Sequence, residues 1–197
     1  MTALAPPLPP RLVAPAPTSP AAKLWTVAEF HRLGELGLFE GRRAMLVHGE
    51  ILEEGPMNPP HAIASTKTED LIRELFGRAF HVRVQKPLVF GLDIDPEPDV
   101  VVVRGRPADY PSHPATAELV VEVSDTSLRY DTTDKAALYA AAGIPEYWVL
   151  DLNGRQLLVF RDPMAGAYAT ASAVPADGTV SPLAAPGATL TVADLLP

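Results

Sequence analysis

Cysteine is absent from the 197 residues. A disulfide framework, a zinc–thiolate site, an iron–sulfur cluster and a cysteine nucleophile are therefore all excluded. The same absence agrees with a reducing, cytoplasmic location, which is the expectation for this chain. No apolar run approaches the roughly 20 residues a membrane-spanning helix needs, so no membrane partner is expected. No basic stretch followed by an apolar one marks a secretory leader. The sequence has no P-loop, no GxGxxG, no HExxH and no GxSxG. Readings as a nucleoside-triphosphatase, a dinucleotide-binding protein, a zincin or a serine hydrolase lose their usual support. Positive charge is scarce as well: 16 Lys and Arg stand against 24 Asp and Glu. Two of the bases, Arg11 and Lys23, fall in residues 1–23, which hold no acid, so the remainder carries 14 bases against 24 acids, or −10. A broad nucleic-acid-binding face needs a basic excess. Any such site here must be local, or must offset its own carboxylates with metal ions.

Hydrophobic residues make up 47% of the chain, and its length suffices for one ordinary domain with a buried core. Seven of the first twenty residues are proline, so residues 1–23 read as a stiff, extended tail and 24–197 as a single domain. Thr26 and Glu29 have capping-box spacing, and Val27, Phe30, Leu33 and Leu36 supply a helical stripe behind them. Ala44–His48 and Ile51–Glu53 flank Gly49 as a β-hairpin. His61–Phe76 reads as an amphipathic helix. Strands are expected at His81–Val84, Pro87–Phe90, Asp99–Val103 and Glu118–Val123. The last two are dense in valine, as strands covered on both faces are. Asp131 to Ala142 reads as a helix with Asp131 as N-cap and a stop at Gly143 and Pro145. Tyr147–Leu152 and Gln156–Phe160 pair around Asn153-Gly154, and short strands are expected at Tyr168–Val174 and Thr189–Val192. The order indicates an α/β fold with a mixed sheet.

Three charged residues stand out. Glu122 sits inside Leu119-Val120-Val121-Glu122-Val123, where an ionised carboxylate is unfavourable by several kcal/mol unless it is paired or binds a metal. Asp99 opens the other valine-rich strand. If the two strands are neighbours, their carboxylates converge at one end of the sheet, a donor set that suits Mg²⁺. Lys135, one of only four lysines, lies on the following helix with Asp131 and Tyr139 at i±4. An ammonium there can orient a metal-bound water or stabilise charge developing on phosphate. The blander alternatives stay open at this point: Asp99 capping a turn, Glu122 pointing out of an edge strand, Lys135 solvated.

The series Pro98-Asp99-Val100-Val101-Val102-Val103, Glu118-Leu119-Val120-Val121-Glu122-Val123-Ser124, Ser127-Leu128-Arg129-Tyr130-Asp131, Lys135, Leu138-Tyr139 and Ala142-Gly143-Ile144-Pro145-Glu146-Tyr147-Trp148 resembles the Uma2 family, also called DUF820. That family is grouped with the PD-(D/E)XK nucleases. Val47-His48-Gly49-Glu50-Ile51, Pro60-His61, Val84-Gln85 and Pro87-Leu88 extend the likeness, which spans roughly 25–162. The resemblance implies a restriction-endonuclease-like fold: a mixed central sheet flanked by helices, here with an N-terminal hairpin and additional C-terminal strands. It implies a Mg²⁺- or Mn²⁺-dependent endonuclease that hydrolyses DNA by attack of a metal-bound water. Asp99 and Glu122 match the acidic positions and would hold the metal, with the backbone carbonyl of Val123 as a further ligand. The lysine expected two residues after Glu122 is Ser124 here, and Lys135 would take its place from the next helix. His61 would contact phosphate, shuttle a proton or merely cap and pack. Gln85 would lie near the metal or bond across strands. Arg129 would clamp a phosphate or pair with an acid, and Tyr139 would pack its ring beneath the site. Glu50, Glu54 and the Arg42-Arg43 pair read as solvated, with one of the two glutamates a possible extra ligand. A homodimer would supply two sites for two strands. Two other readings stand beside the endonuclease: a non-catalytic binding or regulatory module, and a metal-dependent hydrolase of smaller phosphate esters.

Overall fold

A computed structural model describes residues 19–197. Most of the proline-rich tail therefore lies outside the described residues. Helix α1 (Val27–Glu35) starts with the expected capping box: the Glu29 amide donates to the Thr26 hydroxyl, and the Glu29 carboxylate accepts from the Thr26 amide. Strands β1 (Arg43–Val47) and β2 (Glu50–Glu54) form a separate antiparallel hairpin. His48 and Gly49 both have positive φ, as a tight two-residue turn requires. A Cβ on Gly49 would stand 2.8 Å from Leu24 Cβ and 3.1 Å from the Trp25 carbonyl, so the turn admits only glycine. Helix α2 (Pro59–Phe76) is capped by Asn58, whose side chain accepts the His61 amide at 3.1 Å.

A six-stranded mixed sheet forms the centre. Its spatial order is β3 (Phe80–Val84), β4 (Val100–Arg104), β5 (Leu119–Ser124), β6 (Glu146–Asp151), β7 (Gln156–Met164) and β8 (Ala167–Pro175). Only β5 and β6 run parallel, and the crossover between them is helical. That crossover consists of α3 (Leu128–Tyr130), a π-turn (Asp131–Lys135) and α4 (Ala136–Ala141). The chain ends with the two-residue strands β9 (Thr179–Val180) and β10 (Leu190–Thr191) and the short helix α5 (Val192–Leu195).

Alternation along the strands sends odd and even residues to opposite faces. One face of the sheet, with Val100, Val102, Val121, Trp148 and Leu150, packs on α2 and the C-terminal α5. The other, with Val101, Val103, Val120, Tyr147 and Val149, packs on α4 and the apolar segment 88–90. Both faces of β4, β5 and β6 are covered, which explains their near-continuous valine, leucine and aromatic sequence.

Two expectations need correction. Pro87–Phe90 is not a strand. Its amides bond two separate segments: Leu88 and Phe90 donate to Pro96 and Ile94, and Val89 to Pro114. The segment is apolar because it is buried, not because it joins a ladder. Asp131 is not an N-cap either, since the helical path already begins at Leu128 and Asp131 opens the π-turn within it. The Thr132 and Thr133 hydroxyls each donate at 2.7 Å to the carbonyl four residues back. Such bonds compete with the backbone ladder and bend helices, which favours a widened turn at this point.

Candidate active site

The site forms where β4 begins and β5 ends. These strands are antiparallel neighbours, so Asp99, just before β4, and Glu122, near the end of β5, meet at one edge. Asp99 is odd-numbered like Val101, and Glu122 even-numbered like Val120, so both point to the face covered by α4. Asp99 Oδ2 accepts the Val123 amide at 2.8 Å, and Glu122 Oε2 accepts the Asp99 amide at 3.3 Å. The two acids thus bind each other's backbones, and both are buried.

The crossover helix supplies the counter-charge. The Lys135 ammonium lies 3.0 Å from Glu122 Oε1, 3.6 Å from Asp131 Oδ1 and 3.6 Å from Glu54 Oε1. The Tyr139 hydroxyl donates to the same Glu122 Oε1 at 2.8 Å. The π-turn lets Asp131 and Lys135 both be buried, and the Tyr147 hydroxyl donates to the Asp131 carbonyl at 2.9 Å. Ser124, where the resemblance would place a lysine, is fully buried beside Ser127. The cation that contacts Glu122 comes instead from the helix, as Lys135.

His61 reaches Asp99 from α2, its Nε2 3.2 Å from Oδ2, while its Nδ1 faces the Ser65 hydroxyl at 3.2 Å. Burial would lower its proton affinity, but the hydrogen bond and charge of Asp99 outweigh that and raise it. Burial would likewise raise the Asp99 carboxyl, yet His61, the Val123 amide and Lys135 hold it below the usual carboxylate range. Glu122 goes the other way. Burial first, and then the charges of Asp99, Asp131 and Glu54, push it up to about 8 against the pull of Lys135. Burial opposes the charge on Lys135 as well, but Glu122, Asp131 and Glu54 raise its pKa overall. Two neighbouring carboxyls driven in opposite directions, in a cleft, are a common mark of a working site.

A cleft of about 420 Å³ opens onto these groups, lined by Glu54, Asn58, His61, Asp99, Glu122, Val123, Asp131 and Lys135, among others. Four of the expected residues, Asp99, Glu122, Lys135 and His61, therefore share one cavity, with Tyr139 directly behind Glu122. Gln85 does not line it. The Gln85 backbone, at positive φ, donates to the carbonyls of Pro98 and Asp99 at 3.2 Å, so this residue bonds across strands and fixes the entry to β4. Arg129 is exposed at the rim, in a shallow groove with Ser127 and Asp134, and makes no ion pair among the described residues. Glu54 and Arg43, read from sequence as solvated, pair at 2.9 Å and both line the cleft. Asp131 follows from its i±4 spacing to Lys135, whereas Ser65 and Asn58 carry no sequence signal for this role.

Among the described residues, no three His, Asp or Glu side chains stand as a ready-made cation cage. The donor set nonetheless suits a hard divalent ion that keeps several waters. It offers two carboxylates and one carbonyl. The Val123 amide points past the start of β4 to Asp99, so its carbonyl, directed the same way, has no partner strand opposite and borders the cleft. Asp99, Glu122, Asp131 and Glu54 outnumber Lys135 and Arg43 there, and Glu122 is raised by burial and by its like-charged neighbours. A bound cation would relieve that imbalance.

Comparison with known proteins agrees with this geometry. No curated protein matches the chain. A crystal structure from Anabaena variabilis, titled as a "putative nuclease belonging to DUF820", superposes with a TM-score of 0.71 at 17% identity. It covers 86% of this chain and 96% of that one, and at such low identity it shows a shared fold. The Uma2 family, described as "putative restriction endonuclease", matches residues 27–193, and with most of its length so matched, the chain belongs to that family.

Proposed function

We propose that the protein is a divalent-metal-dependent nuclease that hydrolyses DNA phosphodiester bonds in the cleft between β4, β5 and the crossover helix. The observation that carries this reading is the convergence of Asp99, Glu122 and Lys135 in one buried, open cavity. Asp99, Glu122 and the Val123 carbonyl would hold Mg²⁺ or Mn²⁺. When bound, such an ion stabilises charge on phosphate and acidifies water. The chain's own groups do the rest. Lys135 opposes the upward push on Glu122, favouring its ionised form, and presents a positive charge to a phosphate entering beside it. Tyr139 fixes Glu122 Oε1, so the carboxylate approaches in one orientation. His61 holds Asp99 in place and is a proton carrier at the cleft wall. Asp131 and Glu54 keep Lys135 protonated.

The test is plasmid nicking at low salt by the wild type and Glu122→Gln, with Mg²⁺, Mn²⁺ or EDTA. Metal-dependent nicking that is lost in the variant supports the reading. Equal background in both proteins refutes DNA cleavage. A second reading, hydrolysis of a smaller phosphate ester, draws support from the small volume of the cleft and the −10 charge of residues 24–197. A panel of nucleotides and phosphodiesters in the same assay separates the two.

A further inference from the structure

The described residues include two buried cations, Lys135 and Arg83, each 7% exposed. Lys135 belongs to the cleft. Arg83 lies elsewhere on the same sheet face, on β3 opposite Val101. Its Nη2 donates to the Pro87 carbonyl at 3.1 Å and to His113 Nδ1 at 3.3 Å. Its buried Nε has no partner, and no carboxylate pairs with it among the described residues. A guanidinium keeps its charge and offers five N–H groups, so burying it half-satisfied is unfavourable unless an anion completes it.

Arg83 faces a groove of about 730 Å³ that also presents Lys86, His31, Tyr110 and His113. Lys86 is exposed and carries no ion pair among the described residues. Burial lowers the proton affinity of His113, and the charges of Arg83 and Lys86 lower it further against Asp95. A neutral ring that accepts at Nδ1 carries its proton on Nε2, which makes it a further donor. Asp95 is engaged with His31, at 2.6 Å. A third hollow adjoins both: it shares His31 and His113 with the groove and Arg43 with the cleft, and Asp95 and Glu97 also line it. Along that path Arg42 and Arg43 are matched by Glu53 and Glu54, whereas Arg83 and Lys86 are unmatched.

We propose that this groove is a second anion site, which binds a backbone phosphate of the DNA strand entering the cleft, with Arg83 as its floor and Lys86 and His113 at its sides. This rests on the nuclease reading and deepens it. It gives a chain so acidic a local hold on a polyanion: of the two buried cations among the described residues, the one without a counter-charge faces this groove.

The test is fluorescence anisotropy of a labelled DNA duplex with the full chain in EDTA at low salt, where no cleavage occurs, followed by a salt titration. Arg83→Gln should weaken binding about tenfold and Lys86→Ala about threefold, each flattening the log–log salt slope by about one. Arg155→Ala, which removes an exposed charge in the β6–β7 turn, should change neither. The exposed position of Lys86 keeps the test valid if Arg83→Gln fails to fold. Absent binding by the wild type, or Lys86→Ala indistinguishable from Arg155→Ala, overturns the proposal. Binding with the expected dependence but no nicking by the wild type refutes the nuclease reading and leaves the anion site standing.

Discussion

Lys135, on the crossover helix, and Arg83, on β3, are equally buried over the same face of the sheet, yet their surroundings are opposite. Lys135 has three carboxylates within 3.6 Å. Arg83 has a carbonyl, an imidazole and an unpartnered Nε. Around Lys135 the surplus charge is negative, so that region lacks a cation. Around Arg83 the surplus is positive, so that region lacks an anion. Each imbalance is unfavourable in the free protein, because buried charge is stabilised only by partners of opposite sign. A metal and a nucleic-acid strand are the two ligands whose charges would correct both.

The largest expected effect is on the chemistry of the negative region. Asp99→Asn and Glu122→Gln should each lower metal-dependent nicking by about a hundredfold or more, since each removes a proposed ligand charge. The variants should remain folded by near-UV circular dichroism. Activity retained at more than a tenth of wild type would remove these residues from the mechanism.

Stability then separates the two cations. Lys135→Met should cost roughly 3–5 kcal/mol in urea unfolding without metal, because it leaves buried Glu122 and Asp131 without a counter-charge. Arg83→Met should stay within about 1 kcal/mol of wild type, since two lost hydrogen bonds are offset by removing an incompletely solvated charge. Similar losses in both variants would mean that Arg83 has a counter-charge after all.

Glu122 also gives metal-free stability a pH dependence. Its carboxyl titrates near 4.5 when unfolded and at about 8 when folded. Between those values the folded state binds more protons than the unfolded state, so stability falls as pH rises, by on the order of a few kcal/mol. Asp99, held low, contributes the opposite limb: its stabilisation is present above its unfolded pKa of 3.8 and is lost as pH falls below that. Metal-free stability should therefore peak in mildly acidic solution. Glu122→Gln should flatten the fall toward pH 8, and urea midpoints across pH 4–9 would show it. A wild-type curve that is flat from pH 5 to 8 would contradict the burial assigned to Glu122.

What was legible in the sequence follows the range of the interactions involved. The Thr26–Glu29 box and the valine runs of β4 and β5 are local signals, and the structure repeats them within a residue. Asp99, Glu122, Lys135 and Tyr139 were legible because strand alternation and helical i±4 spacing already place them on facing surfaces. The π-turn was not, because Asp131 before a helical stripe has the composition of a cap. Only burial of Asp131 beside Lys135, with the Tyr147 hydroxyl on its carbonyl, distinguishes the two. The segment 87–90 does not follow its apolar pattern into the sheet, because an apolar run signals burial alone and its amides bond the 94–96 stretch and Pro114 instead. Arg83 gave no signal at all: its isolation depends on which residues of other segments, His113 among them, fold against it.

Tyr139→Phe probes the negative region most gently and carries the smallest expected effect. The hydroxyl donates to Glu122 Oε1, the atom that Lys135 also contacts. Its ring packs against Tyr147 and Phe90, contacts that phenylalanine keeps. Removal leaves a buried carboxylate oxygen with one partner instead of two, and should cost about 1–2 kcal/mol of metal-free stability. With an accepted hydrogen bond gone, ionised Glu122 is less stabilised, so its carboxyl should titrate still higher. The fall in stability with pH should then steepen rather than flatten, opposite in sign to Glu122→Gln. If instead Tyr139→Phe moves the curve in the same direction as Glu122→Gln, the tyrosine hydroxyl is bonded to a carboxyl that is already protonated. In that case the negative surplus around Lys135 is smaller than the charges in the cleft imply.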